Sequence, residues 1–261
     1  MSLWNGDRPS KWPIYTGVGL IVLAFVTGLL LLTGEDPGEG AATRTSTASS
    51  VGPDGSDDRE GRPLLEVVSW GRASGQLAVV VRNTSPSYIQ HARIRISAYD
   101  EDDRMVLSTA GTVTDVCCTV VGLPRGEEYG VFAEMPAAAS DPAAVEVAVV
   151  SAETRRAAAA DTRVAVGGLG LQRYDDDTVA TATLTARRPV SGYVVAQAIL
   201  VDRRGDTAQV ISGRYYCFEP GRPRQIRLRL FHEVPPDLRL DRVVAYPLPP
   251  GVPPYVRRDC R

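Results

Sequence analysis

Histidine and lysine are scarce in this chain, which leaves few side chains for acid–base chemistry near neutral pH. The sequence holds 2 histidines, His91 and His232, and its only lysine is Lys11. It contains neither a Cys-x-x-Cys pair nor a Gly-x-Ser-x-Gly elbow, the patterns of zinc sites and of serine hydrolases. The formal net charge is −2, so no basic field favours nucleic acid as a partner. These absences predict a protein that is not an enzyme, with no catalytic residues and no cofactor.

One long apolar run, Ile14 to Thr33, carries no charged side chain. As a helix it would extend about 30 Å, the thickness of a bilayer core. Arg8 and Lys11 precede the run and Glu35 and Asp36 follow it, and positive residues stay on the cytoplasmic side. We therefore predict a cytoplasmic tail over residues 1–13, an uncleaved transmembrane signal anchor in membrane lipid over residues 14–33, and an extracytoplasmic remainder.

A cleaved signal peptide is the competing interpretation of this run. Its apolar core would be shorter, and small residues in an Ala-x-Ala arrangement would follow it. Here Thr33-Gly34-Glu35 is a poor cleavage context, and Ala41-Ala42 lies far beyond the run. The anchor is therefore the preferred prediction.

Beyond the anchor, a polar segment gives way to strand patterns. Residues 34–62 are rich in Gly, Ser, Thr, Asp and Glu, and they cannot bury enough apolar surface to offset ordering entropy, which predicts a flexible linker. From Leu64, short Val- and Ile-rich runs alternate with turn residues. The strand period is visible in two alternations: Ile94, Ile96 and Ala98 on one face, and Thr181, Thr183 and Thr185 against Ala182, Leu184 and Ala186.

The order of strands and turns repeats after about one hundred residues, which is typical of two copies of one module. The positions that align are Asp100 with Asp202, Cys118 with Cys217, Phe132 with Phe231, and Val147 with Val243. We predict an all-β fold of two tandem immunoglobulin-like antiparallel sandwiches. The predicted segments are a first domain at 63–152, an Ala-rich bridge at 153–161 with a possible helix near 152–160, a second domain at 162–247, and a Pro-rich tail at 248–261.

Short motifs recur at corresponding places in the two halves. The first half has Asn83-Thr84-Ser85, Ile96-Ser97-Ala98-Tyr99-Asp100, and Leu123-Pro124-Arg125-Gly126 followed by Phe132. The second half has Ala198-Ile199-Leu200-Val201-Asp202 and Glu219-Pro220-Gly221. These motifs resemble the FxLYD-type domain, although Ile96 or Ala198 stands where that family has Phe. The resemblance implies a small bacterial β-sandwich outside the membrane, and it implies no catalytic residues.

The cysteines form an even set: Cys117, Cys118, Cys217 and Cys260. An even count outside the membrane predicts disulfides, for which three pairings exist. A Cys217–Cys260 bond would tie the tail to the second domain and contribute about 2–4 kcal/mol. Adjacent cysteines in a strand face opposite sides, so Cys117 and Cys118 would form a strained vicinal pair or reach across domains. We predict Cys217–Cys260, with Cys117–Cys118 as the remaining pair.

Two acidic turns are weak candidates for a Ca²⁺ site, and their carboxylates belong to Asp100, Asp102, Asp103, Asp175, Asp176 and Asp177. The EF-hand spacing, with its Gly and distal Glu, is absent from both turns. Asp is also favoured in ordinary solvated hairpin turns, so the sequence predicts no metal site and keeps Ca²⁺ as an alternative. A basic patch is a further candidate, formed by Arg227, Arg229, Arg239 and Arg242, with a solvated sheet face as the simpler interpretation.

The functional prediction follows from the predicted location of the protein and from its composition. Arginine replaces lysine, and Ala, Gly, Pro and Val are abundant, which resembles the coding bias of a GC-rich bacterial genome. We predict a membrane-anchored structural or interaction protein that binds an envelope protein, as a scaffold or an accessory subunit of a bacterial envelope complex. The alternative is an extracytoplasmic receptor module for a small ligand or Ca²⁺.

Overall fold

The computed structural model describes residues 63–110, 118–136, 138–156, 164–174, 177–229 and 233–249. Within these ranges all regular structure is antiparallel β-strand and no helix occurs, which confirms the all-β, antiparallel part of the prediction. None of these residues belongs to a helix able to cross a membrane. The predicted tail, anchor and linker before residue 63 lie outside the described residues.

The strands are numbered in chain order. The first half of the described chain contains β1 Leu65–Ala73, β2 Gln76–Asn83, β3 Tyr88–Tyr99, β4 Met105–Ser108, β5 Thr119–Leu123, β6 Glu128–Glu134 and β7 Ala144–Arg155. The second half contains β8 Val164–Tyr174, β9 Asp177–Ala186, β10 Val190–Val201, β11 Thr207–Phe218, β12 Arg224–Arg229 and β13 Arg239–Pro247. Strand β7 runs into the stretch predicted as a bridge, and the possible helix near residue 152 is replaced by strand as far as Arg155.

Each half has two sheets with the same order of pairing. In the first half, sheet A has the order β1-β2-β6, and in sheet B one edge of β3 pairs with β4 and β5 while the other pairs with β7. In the second half, sheet C has the order β8-β9-β12 and sheet D the order β11-β10-β13. Sheet C therefore repeats sheet A, and sheet D repeats sheet B. In the described part of the chain, β11 is one strand, whereas its counterpart consists of β4 and β5, and residues 111–117 between them lie outside the described residues.

Alternating side chains from paired sheets fill two cores. Sheets A and B share the first core, to which β2 contributes Leu77, Val79 and Val81 and β3 contributes Ile94, Ile96 and Ala98. Sheets C and D share the second core, where Ala182, Leu184 and Ala186 of β9 are buried. The apolar faces expected for β3 and β9 are thus confirmed, because a strand turns successive side chains to opposite faces.

A third apolar cluster joins the two halves. It consists of Ala78 and Val80 on β2, Ile199 on β10 and Val210 on β11, all 0% exposed, with Phe132 packed beside them. Strand β2 is therefore buried on both faces, and sheet A packs against sheet D. The four sheets lie in the order B, A, D, C and belong to one compact unit.

Several outward positions on the central strands of the two end sheets are polar instead. On β9 they are the threonines that the sequence pattern separated from the apolar face, and on β3 they include Arg93 and Arg95, which are exposed. These faces can remain in water, so the stacking of sheets ends after four layers, as capping faces end other repeat stacks.

Candidate functional site

The contact between sheets A and D contains buried glutamines that bind backbone groups. Gln197, 2% exposed, accepts a hydrogen bond from Gly130 N at 2.9 Å and donates one to Gly130 O. Gln76, fully buried, accepts from Val210 N at 2.8 Å. Strands β6 and β11 each have one edge without a ladder partner among the described strands, and a Gln amide supplies both a donor and an acceptor. These amides therefore bind backbone groups on the open edges of two strands.

Two polar atoms in this contact have no partner among the described residues. They are Gln76 Nε2, a donor, and Gln209 Oε1, an acceptor. Gln76 cannot simply be turned over, since its oxygen faces the Val210 N–H. Gln209 is held in the same way, because its Nε2 donates to the Ala73 and Glu233 carbonyls at 3.3 and 3.2 Å. Each orphan group costs about 1–3 kcal/mol unless water reaches it.

Close backbone approach at this contact requires glycine. A Cβ at Gly71 of β1 would lie 1.7 Å from Thr207 O, and one at Gly130 would lie 2.8 Å from Val210 Cγ1. Beside Gly71, the hydroxyls of Ser69 and Thr207 are hydrogen-bonded at 2.6 Å. The two halves thus meet through shape as well as through polar contacts.

Glu128 forms an ionic link at the rim of the same contact. Its carboxylate accepts from Arg82 of the first half at 2.7 Å and from Arg242 of the second half at 2.6 Å. Its backbone carbonyl accepts from the Tyr246 hydroxyl at 2.8 Å. The Tyr246 ring stacks on Tyr129 with centroids 6.3 Å apart. Glu128, whose side chain is 20% exposed, therefore binds groups of both halves.

Burial shifts the titration of four tyrosines. It raises the pKa of Tyr88 to about 12, against which the charge of Arg155 acts, and it raises the pKa of Tyr215 to about 12 against Arg224. Burial also raises the pKa of Tyr129 and of Tyr246, and the carboxylates of Glu127 and Glu128 raise the Tyr246 pKa further. The neutral hydroxyl is thus the form that fits the folded protein.

The arginines considered as a basic patch lie in different sheets. Arg227 and Arg229 are on β12 of sheet C, whereas Arg239 and Arg242 are on β13 of sheet D. Arg229 pairs with Asp177 at 3.3 Å, and Arg242 binds Asp241 as well as Glu128. Two of the four arginines, Arg229 and Arg242, are therefore paired with carboxylates.

The first acidic turn uses its leading carboxylate to bind backbone. Asp100 Oδ1 accepts from the N–H groups of Asp102 and Arg104, both at 3.0 Å. Asp102 in turn pairs with Arg104 at 2.8 Å. No group of three His, Cys, Asp or Glu side chains able to hold a metal occurs in the described part of the chain. Asp175 and Asp176 lie outside it.

The β10–β11 turn has the same construction, which supports part of the sequence alignment. Asp202 Oδ1 accepts from Arg204 N at 2.8 Å and from Asp206 N at 2.9 Å, as Asp100 does in the first half. Val147 and Val243 also correspond, because they pair with Ile96 and Ala198 at the same distance from the two turns. Phe231 lies outside the described residues.

Cys118 and Cys217, which were aligned in the sequence, occupy different structural positions in the two halves. Cys118 O accepts from Ile94 N at 2.9 Å, and the counterpart of Ile94 is Ala196, which pairs with Gly213. Cys217 lies instead at the far end of β11, next to Phe218. The alignment of Cys118 with Cys217 is therefore wrong, because the interruption between β4 and β5 changes the spacing.

Both described cysteines have left-handed backbone and neither is a free thiol. The φ angles are 76° at Cys118 and 61° at Cys217, a conformation that costs a residue other than glycine about 1–2 kcal/mol. No free cysteine occurs among the described residues. Cys117 and Cys260 lie outside them, so the pairing stays a prediction.

The motif residues behind the FxLYD-type resemblance fix two connections. Asn83, 1% exposed, donates to Ser87 O at 2.8 Å and to Leu123 O at 3.1 Å. The backbone carbonyl of Asn83 accepts a hydrogen bond from Gly126 N at 2.8 Å. The first and third motifs of the first half therefore bind one another, which gives them a structural role.

A further surface, not expected from the sequence, lies at the end of sheet D that carries Val190 and Phe218. We name the outward side chains of Tyr193, Arg214 and Tyr216 the tyrosine face. The two rings meet edge to face with centroids 6.0 Å apart, and Tyr216 is 41% exposed. Leu248 N donates to Tyr193 O at 2.7 Å, so the chain after β13 still runs beside this face. Only the strand register places these residues together, which explains why pattern reading missed them.

A small cleft lies where the first half meets β8 and β13. It has a volume of about 260 Å³, and its lining includes Pro124, Val164 and Val244 with two charged residues, Glu127 and Arg187. The lining combines apolar contact with one charge of each sign. This volume falls slightly below the roughly 300–1,000 Å³ of typical ligand pockets.

No family model matches the sequence, and no curated protein matches it.

Proposed function

We propose that this chain is a single-pass membrane protein, with a cytoplasmic N-terminus, that acts as a structural or interaction subunit of a bacterial envelope complex. Its two halves would be immunoglobulin-like sandwiches of the FxLYD type, displayed outside the cytoplasm on the predicted linker. The observation that carries the proposal is the four-layer β body, whose buried polar groups bind its own backbone. Such a body offers surfaces to a partner and few groups for chemistry.

The outermost sheets are the faces that we propose for partner binding. Exposed apolar side chains occur on strands of both: Met105 and Val150 in sheet B, and Leu169 and Tyr174 in sheet C. Edge strands β7 and β8 each contain a bulge, at Val150 and between Gly167 and Gly170. Bulges on edge strands disfavour pairing with another strand, so a partner would contact the sheet faces rather than extend a sheet.

Site-specific crosslinking in intact cells tests partner binding. A photoreactive residue replaces Val150 in one variant and Leu169 in another, and the membranes are solubilised after illumination. A protein adduct at either site supports the proposal and identifies the face. A photoreactive residue in place of Ala78, buried between sheets A and D, is the control that should give no adduct. Recovery of the chain alone at native abundance in both test variants would contradict the scaffold role.

Topology has a separate test. Protease added to cells with a permeable outer layer and an intact membrane should digest residues after the anchor and spare a fragment containing residues 1–33. The charge asymmetry around Ile14–Thr33 supports this orientation. Full protection of the β body, or a mature protein that begins beyond Thr33, would remove the basis for the membrane display.

Disulfides belong to the same proposal, because an oxidising compartment preserves them. We retain Cys217–Cys260 and Cys117–Cys118 as the proposed pairs, and the engaged state of Cys118 and Cys217 is consistent with both. Peptide mapping without reductant tests the pairing. A peptide that joins Cys118 to Cys217 would exclude it.

A receptor for a small ligand is the second candidate, and the cleft lined by Glu127 and Arg187 favours it. A zwitterionic ligand of a few heavy atoms would match its charges and volume. Thermal shifts of the purified protein against a panel of free amino acids test this function, with Arg187→Gln as the control variant. Ca²⁺ has less support, because Asp100 already accepts two backbone hydrogen bonds. A thermal shift on adding Ca²⁺ to chelator-treated protein would restore that possibility.

A further inference from the structure

Two buried amide groups are only partly hydrogen-bonded at one end of the contact between sheets A and D. They belong to Gln76, the first residue of β2, and to Gln209 on β11, and both residues are 0% exposed. Gln76 Nε2 and Gln209 Oε1 have no partner among the described residues. One of these atoms is a donor and the other is an acceptor, so their requirements are complementary.

The hydrogen bonds that these side chains do make place them beside one another. Gln76 Oε1 accepts from the N–H of Val210, the residue that directly follows Gln209. In the opposite direction, Gln209 Nε2 donates to the carbonyl of Ala73, which pairs with Gln76 across the β1–β2 turn. Each glutamine therefore binds backbone next to the other glutamine, and both unused atoms belong to one reciprocal contact.

Neither amide can be turned over to remove the mismatch. A reversed Gln76 would place its NH2 group against the Val210 N–H. A reversed Gln209 would place its oxygen against the carbonyl oxygens of Ala73 and Glu233. The two unused atoms are not bonded to each other either, since each lacks a partner in the described part of the chain. The contact therefore requires a group that accepts from one amide and donates to the other.

Water meets this requirement. A buried water molecule makes about two to four hydrogen bonds, so it can accept from Gln76 Nε2 while it donates to Gln209 Oε1. Its second hydrogen can bind Ala73 O or Glu233 O, because a carbonyl oxygen has two lone pairs and both carbonyls already bind the Gln209 amide. The two side chains are neutral amides, which suits an uncharged ligand of this size.

We propose that Gln76 and Gln209 form an internal water-binding site that joins the two halves of the chain. The bound water completes the polar contact between the β1–β2 turn and β11, which the two side chains do not bridge directly. Because both glutamines are fully buried, this water exchanges with bulk solvent only when the surrounding contact opens. Its lifetime therefore reports the opening of this end of the contact. The site depends neither on the proposed membrane location nor on a partner.

Nuclear magnetic resonance of the full, isotope-labelled chain in detergent micelles tests the site. The side-chain amide protons of Gln76 should show cross-peaks to water that have opposite signs in nuclear Overhauser and rotating-frame spectra, the signature of a long-lived bound water. Gln197 is the internal control, because it is also buried and its NH2 group already binds Gly130 O and the Ser212 hydroxyl. Absence of the Gln76 cross-peaks, or equal cross-peaks at Gln197, would overturn the proposal.

Replacement of Gln209 shows whether it shares the water. Gln209→Met keeps the length of the side chain but removes the acceptor, so the cross-peak between Gln76 and water should weaken several-fold. Gln225→Met, on an exposed position of β12, is the matched control and should leave this cross-peak unchanged. An undiminished cross-peak in folded Gln209→Met protein would show that Gln209 does not bind the water, and the two-glutamine site would be wrong.

A crystal structure of the unmutated chain provides the second measurement, in case the variant folds poorly. An ordered water within hydrogen-bond distance of both Gln76 Nε2 and Gln209 Oε1 would support the site. A direct hydrogen bond between these two atoms, or no density between them, would overturn it.

Discussion

At the scale of single residues, the contact between the two halves depends on side chains that a hydropathy pattern assigns to the surface. Gln76 and Gln197 are polar residues within strands, yet both are buried. Each is retained because it binds a strand edge whose backbone groups would otherwise be orphaned inside the protein. Polar residues at this contact thus supply specificity, while the apolar cluster around Val80 supplies burial.

Replacement of Gln197 should therefore cost more than its polarity suggests. Gln197→Leu leaves the N–H and C=O of Gly130 without partners in a buried contact. We expect the free energy of unfolding to fall by about 2–6 kcal/mol, because two buried groups lose their partners at about 1–3 kcal/mol each. Denaturant unfolding measures the change. Gln225→Leu, on an exposed position of β12, is the matched control and should change stability by less than about 0.5 kcal/mol.

Alanine substitutions at two glycines should distinguish a position in the contact between the two halves from a position on an open strand surface. Gly71→Ala places a Cβ 1.7 Å from Thr207 O, so the backbones of β1 and β11 must move apart. We expect a loss of about 3 kcal/mol or more in unfolding free energy, typical of severe overpacking. Gly167→Ala meets no atom within 4 Å and should be neutral or slightly stabilising. Similar losses in both variants would show that Gly71 has no special role.

Alkaline pH should destabilise the protein through its buried tyrosines. Burial raises the pKa of Tyr88 and of Tyr215 to about 12, from 10.0 for the ordinary side chain. A raised pKa means that stability is fully present below pH 10 and is lost as pH rises toward 12. Urea unfolding between pH 8 and pH 12 should show this decline. Tyr88→Phe should make the decline shallower, and an identical slope would contradict burial of the hydroxyl.

At the scale of elements, the two halves match closely at two hairpin turns, each of which begins with an aspartate that accepts two backbone hydrogen bonds. Asp202→Ala removes the acceptor of two backbone N–H groups in the β10–β11 turn. We expect a loss of about 1–2 kcal/mol, since both bonds are charge-assisted but partly solvated. Thermal unfolding measures the loss. Asp206→Ala changes a carboxylate in the same turn without removing that acceptor, and it should have little effect.

For strands buried on one face, the side that faces the core could be predicted from the sequence. For a strand buried on both faces, the sequence does not show which side chains face which cluster. The alternation in β3 and β9 identified the core faces, because one side meets water. Strand β2 reads as a continuous apolar run, and only the structure divides it into Val79 toward the first core and Val80 toward sheet D. The cysteine alignment failed for a related reason, since β4 and β5 together replace one continuous strand.

At the scale of the whole molecule, four packed layers imply that the two halves depend on each other. Each half alone would expose the apolar cluster that joins them, and that surface could not remain in water without cost. The contact between sheets A and D also differs from a two-fold symmetric contact. Sheet A of the first half meets sheet D of the second half, and sheet D corresponds to sheet B rather than to sheet A. A contact of unlike faces can continue indefinitely, and here polar outer faces end it.

A charge placed between sheets A and D should therefore disrupt both halves together. Val80→Asp buries a carboxylate against Ile199 and Val210, where no partner for it is described, and we expect a loss of more than about 3 kcal/mol. Hydrogen exchange should show reduced protection in β10 as well as in β2. Thr183→Asp, on the outward face of sheet C, is the matched control and should leave both strands protected. Loss of protection confined to the first half would mean that the two halves fold independently and that the contact between sheets A and D adds little to their stability.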